Sequence, residues 1–483
     1  MTASVLEFIG LLACCSAAAI AINSSSPKVR VIALATALVV APVLVAGDVW
    51  DESRFVDLRA HPALVAAGLA VACAVIALGA LVFRRIPVAM PILAFVALPL
   101  RAPLNLGGET SHLLVPLYAV IAAGAVSFAY ATLVVGAADS RRAVAPSPSA
   151  TWTLRLLGAV LVLYALQSAY SEDVSNAIEN TGFFLIPFAG LLVLLLEVRW
   201  TPRLLGWVLA ATVVVELLLC AVAFWEYASR DLLLNQQLLD ANQLHLYFRV
   251  NSLFFDPNVF GRYLALTLVA LGAYLAWARD LVWGVIAAAV SGILLVALEL
   301  TLSLTSFAAL IAGLLVVTML RWGYRWGAAA LLATALVGVI FLVASGAGSS
   351  ELGSAHRVDA ATSGRVDLVE GGVDLAADRP GWGWGSGSFG AAFRRHIKEA
   401  QTTNSHSEPI TVAAEQGVIG LVVYVGLLVV ALVTLFAGAR VSLARTAIAA
   451  CFVAMIVHSL GYAGFVIDPA TWALLALGIA LAD

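Results

Sequence analysis

Charge is what this sequence has least of. Of 483 residues only 11% are Asp, Glu, Lys or Arg, against 62% hydrophobic, and a water-soluble core that large would be left with too little polar surface to cover it. A formal net charge of −3, with no basic stripe interleaved with aromatics, removes the electrostatic case for a nucleic-acid partner. Cysteine is scarce as well. Cys14, Cys15, Cys73, Cys220 and Cys451 all lie inside apolar runs, so the outward loops hold none that could form a disulfide or a metal knuckle. The N-terminal segment offers Glu7 and no Lys or Arg before its first apolar run. The basic n-region of a signal peptide is missing there, and the run is expected to be a retained span. There is also no Asp-X-Asp, no His-X-X-X-His and no Gly-X-Ser-X-Gly. A divalent-cation-dependent transferase and a serine hydrolase both lack their parts.

What the chain has in abundance is apolar runs long enough to cross about 30 Å of hydrocarbon. They fall at 4–22, 29–46, 63–83, 86–100, 113–135, 152–169, 182–196, 204–226, 259–278, 281–299, 303–320, 326–345, 409–437, 446–461 and 465–482. The expectation is an all-α polytopic membrane protein with about 12–15 transmembrane helices, fifteen by this reading. Lys and Arg collect in alternate loops, at Lys28 and Arg30, Arg84 and Arg85, Arg141 and Arg142, Arg199 and Arg203, Arg279, Arg321 and Arg325, and Arg440 and Arg445. Positive charge is retained on the cytoplasmic side, so these loops are expected inside, with the N-terminus outside and the C-terminus cytoplasmic in the inner (plasma) membrane. The long or acidic loops between them are then external.

Four regions follow. Residues 1–85 are N-terminal spans, and 86–345 a central membrane region with an external loop at 227–258. Residues 346–408 form a long external loop, and 409–483 the C-terminal spans. A Pro/Ser-rich linker at 136–151 lies on the cytoplasmic side. The polar stretch 344–408 carries three His and five Arg and is long enough to fold as a cap, with a helix expected from about Ser363 to Ala377.

Three polar places could carry chemistry. The first is Arg249 with the turn Asp256-Pro257-Asn258 and, one turn on, Arg262. Asp256 or Asn258 can cap the helix that follows, and the positive end of that helix could help hold an anion. The second is Gly381-Trp382-Gly383-Trp384-Gly385, a tight turn without the strand or the Gly-Lys-Ser/Thr of a nucleotide loop. The third is His406, just outside the thirteenth span, where an imidazole can work near neutral pH. Glu408 and Glu415 follow it. Arg101 is another cation on the side that otherwise avoids cations.

These three stretches together resemble the O-antigen ligase and O-antigen (Wzy-type) polymerase superfamily of bacterial envelope glycosyltransferases. The matching segments are Arg249 to Gly261, then Ser363-Gly364-Arg365 through Asp378-Arg379-Pro380 to the Gly383-Trp384-Gly385 turn, then His406 with Glu415, Gly417 and Gly420. Two departures stand out. Ser407 and Pro409 occupy positions where the family has Asn and commonly an aromatic, and an Arg often found before the long loop is replaced within Leu302-Ser303-Leu304-Thr305-Ser306.

The resemblance implies a GT-C-like membrane fold and an inverting, metal-independent transfer that needs no cofactor. The donor would be a polyprenyl-pyrophosphate-linked oligosaccharide at the outer leaflet, and the acceptor a glycan or lipid hydroxyl. His406 would be the general base. Arg249, Arg365, Arg262 and Arg101, with Asp256, Asn258 and Glu408, are the candidates for substrate binding. Polymerase is preferred slightly over ligase, since no separate protein-acceptor module is visible. The rival readings are a transporter or flippase, for which Glu216 and Glu299 are the charges within spans to watch, and a non-catalytic envelope scaffold.

Overall fold

The computed structural model describes residues 4–51, 59–106, 109–136, 147–235, 238, 239, 242, 248–344, 365–397 and 404–482, without the side chains of 51, 102–112, 337–344 and 365–366. The expected 136–151 linker and the stretch 346–364 lie largely outside the described residues. The protein is a helical membrane bundle. Twelve described helices are long and apolar enough to cross a bilayer, and the local grammar of their starts is simple. Ser4, Ser26, Ser147, Thr201, Asp256, Asp280, Ser303 and Ser442 each cap a helix through the side chain, and Pro27, Pro148, Pro202 and Pro257 occupy a first turn where no N–H is missed.

In chain order the helices are α1 (Val5–Asn23), α2 (Pro27–Asp48), α3 (Pro62–Arg85), α4 (Ala89–Ala97), α5 (Val115–Leu133), α6 (Pro148–Gln167), α7 (Val174–Asn180), α8 (Ile186–Leu196), α9 (Pro202–Ser229), α10 (Pro257–Trp277), α11 (Leu281–Thr301), α12 (Leu304–Trp322), α13 (Tyr324–Ala344), α14 (Arg365–Asp378), α15 (Phe389–His396), α16 (Glu408–Phe436), α17 (Leu443–Gly461) and α18 (Pro469–Ala482). A π-helical turn at Thr181–Leu185 joins α7 to α8 into one span. A two-stranded hairpin, β1 (Ala102–Leu106) and β2 (Glu109–Leu113), sits between α4 and α5.

Each of the fifteen apolar runs therefore holds a helix, but not fifteen full spans. The run at 86–100 contains only the nine residues of α4, which at about 1.5 Å per residue is too short to cross hydrocarbon. It still connects the two ends of the bundle. The Arg84 guanidinium lies 3.6 Å from the Tyr130 ring centroid at one end, and the Leu98 carbonyl accepts from the Tyr263 hydroxyl at the other. Unwound backbone at membrane depth is tolerated here because protein buries it. The last run forms a 14-residue helix, α18.

Contacts sort the loops into two ends. At one, Arg30 pairs with Glu197, Thr153 bonds Thr434, and Arg321 Nε donates to the Ala276 carbonyl. At the other, Ser175 donates to Asp48, Ser171 to the Ser386 carbonyl, and Tyr462 to Asp256. The first set holds the Arg-rich loops and the second the acidic ones.

The helices that carry the second end pack with backbones close. On α12, a Cβ at Gly313 would collide with Val269 of α10 and lie 3.3 Å from the Ala450 carbonyl of α17, so a small residue lets three helices approach. That trio, α10, α12 and α17, together with α16 and α18, frames the site.

Candidate functional site

The acidic-loop end of the bundle is where the backbone departs from regular geometry. Among the described residues the non-glycine positions with φ in the left-handed region are Arg230, Ser252, Leu302 and His406, and all four lie there. Such strain persists only where surroundings over-determine it, and it collects at functional sites.

The segment 249–256 is held from below by Glu226 of α9. Its carboxylate accepts from the amides of Asn251 at 3.2 Å and Ser252 at 2.8 Å, which fixes the left-handed turn at Ser252. Arg249 leaves this segment sideways. Its Nε donates to the Thr301 carbonyl at 2.9 Å, a cation seated on the C-terminal end of α11, where the helix dipole favours one. Asp256 then caps α10, accepting from the Asn258 amide at 2.7 Å, while its other oxygen accepts from the Tyr462 hydroxyl at 2.7 Å.

One turn into α10, Arg262 is buried and fully engaged. Its Nη1 meets Asp468 at 2.5 Å and the Gly464 carbonyl at 3.2 Å, and its Nε donates to His458 Nδ1 at 3.2 Å. That last bond places the histidine proton on Nε2, which faces Ser306 Oγ at 3.2 Å. Ser306 meets Ser303, Ser303 donates to Asn258 at 2.7 Å, and Asn258 donates to Asp256. A continuous polar path therefore runs from a buried ion pair to the Tyr462 hydroxyl. Burial first, and the Asp256 carboxylate second, push the Tyr462 phenol above its ordinary range. It stays a neutral donor.

His406 faces that tyrosine, with ring centroids 5.8 Å apart. Its left-handed φ of 60° is imposed by its neighbours. Ser405 Oγ donates to the Ser407 carbonyl and meets Thr411 at 2.9 Å, and the His406 amide donates to Asn404. The ring is aimed by a turn that cannot relax cheaply. Arg101, beyond α4, lies 5.9 Å from the Phe254 ring centroid, close enough for its charge to act on the Tyr462 hydroxyl. Its Nε is buried with no hydrogen-bond partner among the described residues.

The cap docks beside this cluster. Helix α16 breaks at Gly417 (φ 64°, ψ −163°), which frees carbonyls that the cap turn takes up. The amides of Trp384 and Gly385 donate to Ala414 and Glu415, and the Val418 amide donates to Pro380. The Glu415 carboxylate accepts from the amides of Gly387 at 3.0 Å and Phe389 at 3.1 Å. A Cβ at Gly383 would strike the Glu415 carbonyl, and one at Gly385 would strike Ser171. The spaced glycines are thus a docking surface for backbone. Glu408 does similar work, its carboxylate accepting from the amides of Gly464 at 2.6 Å and Phe465 at 3.1 Å.

Between α7, the π turn, α16 and the 463–467 segment lies a cavity of ≈ 520 Å³. π turns recur at functional sites, and here Phe183, Phe184 and Leu185 turn one wall toward the cavity.

Of the residues singled out in the sequence, the structure brings together His406, Asp256, Arg101 and, through the polar path, Asn258 and Arg262. Glu408 holds the adjoining 464–466 backbone, and Arg249 stands apart on α11. The Arg365 side chain lies outside the described residues. Sequence reasoning passed over His458, Tyr462 and Asp468, and read Ser303 and Ser306 only as a departure from the resemblance. Two had signals: His458 interrupts an apolar run, and Asp468-Pro469 repeats the Asp256-Pro257 helix start. Among the described residues no group of three or more His, Cys, Asp or Glu is placed to hold a metal ion.

Residues 289–425 match the family model described as O-Antigen ligase. The match spans the cap, His406 and Gly417, and leaves out Arg101, Asp256, Arg262 and Tyr462. No curated protein matches the chain.

Proposed function

Through its O-antigen ligase domain at residues 289–425 the chain belongs to the O-antigen ligase and polymerase superfamily, and we propose that it transfers a saccharide from a polyprenyl-pyrophosphate donor to a glycan or lipid hydroxyl at the outer leaflet. The Arg-rich end of the bundle is cytoplasmic, with the N-terminus outside, the C-terminus inside and the cap external, in the inner membrane.

The observation that carries the reading is the convergence of His406, Tyr462, Asp256 and Arg101, four residues from distant segments, at the end that carries the cap. His406 takes the proton of the acceptor hydroxyl as that oxygen bonds to the anomeric carbon. The anomeric C–O bond to pyrophosphate breaks, its electron pair leaves with the lipid pyrophosphate, and the configuration inverts. Arg101 meets the charge that develops on the leaving group, by charge-assisted hydrogen bonds. Arg262, already neutralised by Asp468, positions the wall of the site instead. Tyr462 and Asp256 keep the imidazole oriented. Polymerase is favoured over ligase, because the chain shows no module dedicated to a protein acceptor.

The experiment is His406→Ala in a deletion strain, with surface glycan and lipid-linked intermediates analysed together. Removing a general base lowers the transfer rate by about 10²–10⁴-fold, and surface glycan should be lost while the protein stays inserted and folded. Normal glycan assembly by a well-expressed variant would overturn the base assignment. Single repeats stranded on the lipid support polymerase, and long chains stranded there support ligase.

A further inference from the structure

The ≈ 520 Å³ cavity falls within the range of about 300–1,000 Å³ that small-molecule sites occupy. Its position is set by the residues already described. Asn404 and Glu408 flank His406, and Ala463 and Gly464 follow Tyr462, so the cavity abuts the His406–Tyr462 pair. Its chemistry is opposite to that of the Arg101 side. Glu179, Glu408 and Glu415 line it, with Asn180, Gln416 and Tyr424, and among the described residues no Lys, Arg or His lines it.

A second observation points to a ligand. The Tyr424 side chain is 3% exposed, and its hydroxyl has no hydrogen-bond partner among the described residues. The nearby Ser459 hydroxyl gives its own proton to the Ile456 carbonyl at 2.7 Å and so does not donate to the Tyr424 hydroxyl. A buried hydroxyl left in this state is costly unless something else completes it.

We infer that this cavity is the acceptor subsite and that it takes an uncharged saccharide, while refusing phosphorylated or carboxylated sugars. Amides, the Tyr424 hydroxyl and carboxylate oxygens suit the donors and acceptors of a neutral polyol, and Phe183 and Phe184 offer apolar faces to its C–H surfaces. An anion would have to shed water beside a wall of acidic side chains, with no cation among the described lining residues to meet it, and repulsion would disfavour it. The word acceptor rests on the transfer reading above; the saccharide chemistry of the cavity does not. The arrangement also separates the partners of the reaction, with pyrophosphate on the Arg101 side, the sugar hydroxyl on the carboxylate side, and His406 between.

The test uses the full-length protein in lipid nanodiscs free of glycoside detergent, read by saturation-transfer difference NMR. The probes are methyl β-D-glucoside and N-acetylglucosamine against glucose 6-phosphate and glucuronic acid at equal concentration. The neutral sugars should receive saturation and the anionic pair should bind at least about tenfold more weakly, the equivalent of about 1.4 kcal/mol. Tyr424→Trp, which removes the hydroxyl and adds bulk at the cavity wall, should weaken the neutral signal. Tyr424→Phe keeps the shape and should weaken it several-fold. Equal response to anionic sugars, no response to either neutral sugar, or an unchanged signal in Tyr424→Trp would each overturn the inference. The wild-type charge comparison needs no variant to fold. If discrimination fails while His406→Ala still stops glycan assembly, only the subsite is lost. If discrimination holds while His406→Ala assembles glycan normally, the transfer reading is lost and the saccharide pocket stands.

Discussion

Gly417 joins the cap to the longest span, and replacing it with alanine should undock one from the other. Its φ of 64° and ψ of −163° lie in territory open essentially to glycine alone, and holding another residue there costs about 1–3 kcal/mol. Space adds to the cost. A Cβ at this position would stand 2.5 Å from the Gly381 carbonyl oxygen and 2.7 Å from the Trp382 amide nitrogen, and these are backbone atoms with no rotamer to escape into. Relief requires the 381–385 turn to back away. That movement breaks the bonds from Trp384 to Ala414, from Gly385 to Glu415 and from Val418 to Pro380, each worth about 0.5–1.5 kcal/mol net. The expected total is on the order of 3–6 kcal/mol, concentrated on one contact.

Hydrogen exchange of the protein in nanodiscs reads this directly. In Gly417→Ala the amides of Trp384, Gly385, Gly387 and Phe389 should exchange about 10²-fold faster or more, while those of α10, α12 and α17 keep their protection. Gly426→Ala is the control on the same helix, since a Cβ there meets nothing nearer than the Leu156 side chain at 3.9 Å. Unchanged protection of the cap amides in Gly417→Ala would refute the docking account, because the strain would then have been relieved without moving the turn.

Other consequences are as specific. Asp468→Asn leaves Arg262 buried without its counter-charge and should cost about 3–5 kcal/mol, whereas the double change Arg262→Met with Asp468→Leu should unfold closer to wild type. Thermal unfolding followed by tryptophan fluorescence ranks the variants, and a single variant as stable as wild type would dissolve the ion-pair argument. Arg101→Ala should lower transfer from the lipid-linked donor by about 10²-fold or more without a loss of thermal stability, and Arg101→Lys should restore part of it, since an ammonium replaces the charge but not the fork. Equal turnover in all three would remove Arg101 from the reaction. For orientation, Trp382→Cys should react with a membrane-impermeant maleimide in intact cells. Trp382 is 66% exposed, whereas Ser386 in the same turn is buried. Labelling of Trp382→Cys only after permeabilisation would invert the topology.

The bundle was legible because hydrocarbon imposes a simple rule, and every apolar run became a helix. The cap helix read at about Ser363 to Ala377 falls at Arg365–Asp378. The short helix at 86–100 was not legible as such, because composition reports how apolar a run is and not whether neighbours shield an unwound backbone. Side-chain roles were harder still. Arg262 reads in sequence as a cation beside the Asp-Pro-Asn turn, and only the fold brings Asp468, 206 positions away, onto its guanidinium. Glu408 reads as a polar neighbour of His406, yet its oxygens are occupied by the amides of Gly464 and Phe465. Periodicity does not encode such pairings.

The substitution at 302–306 acquires a physical meaning from the same network. Where relatives often carry an arginine, this chain places Ser303 and Ser306, and both serve the polar path, one on Asn258 and the other facing His458. A cation could not simply be restored there. Ser306 Oγ already lies 2.6 Å from where a Cβ on Gly261 would stand, so α10 and α12 touch closely at that point and a longer side chain at 306 would push on α10. Arg262 cannot substitute, because Asp468 holds its charge. Arg249 is drawn off to the end of α11. Of the three, Arg101 is the one with a buried Nε that has no hydrogen-bond partner among the described residues. On the proposed reading, the unwound segment after the nine-residue α4 is what brings that cation to the capped end of the bundle.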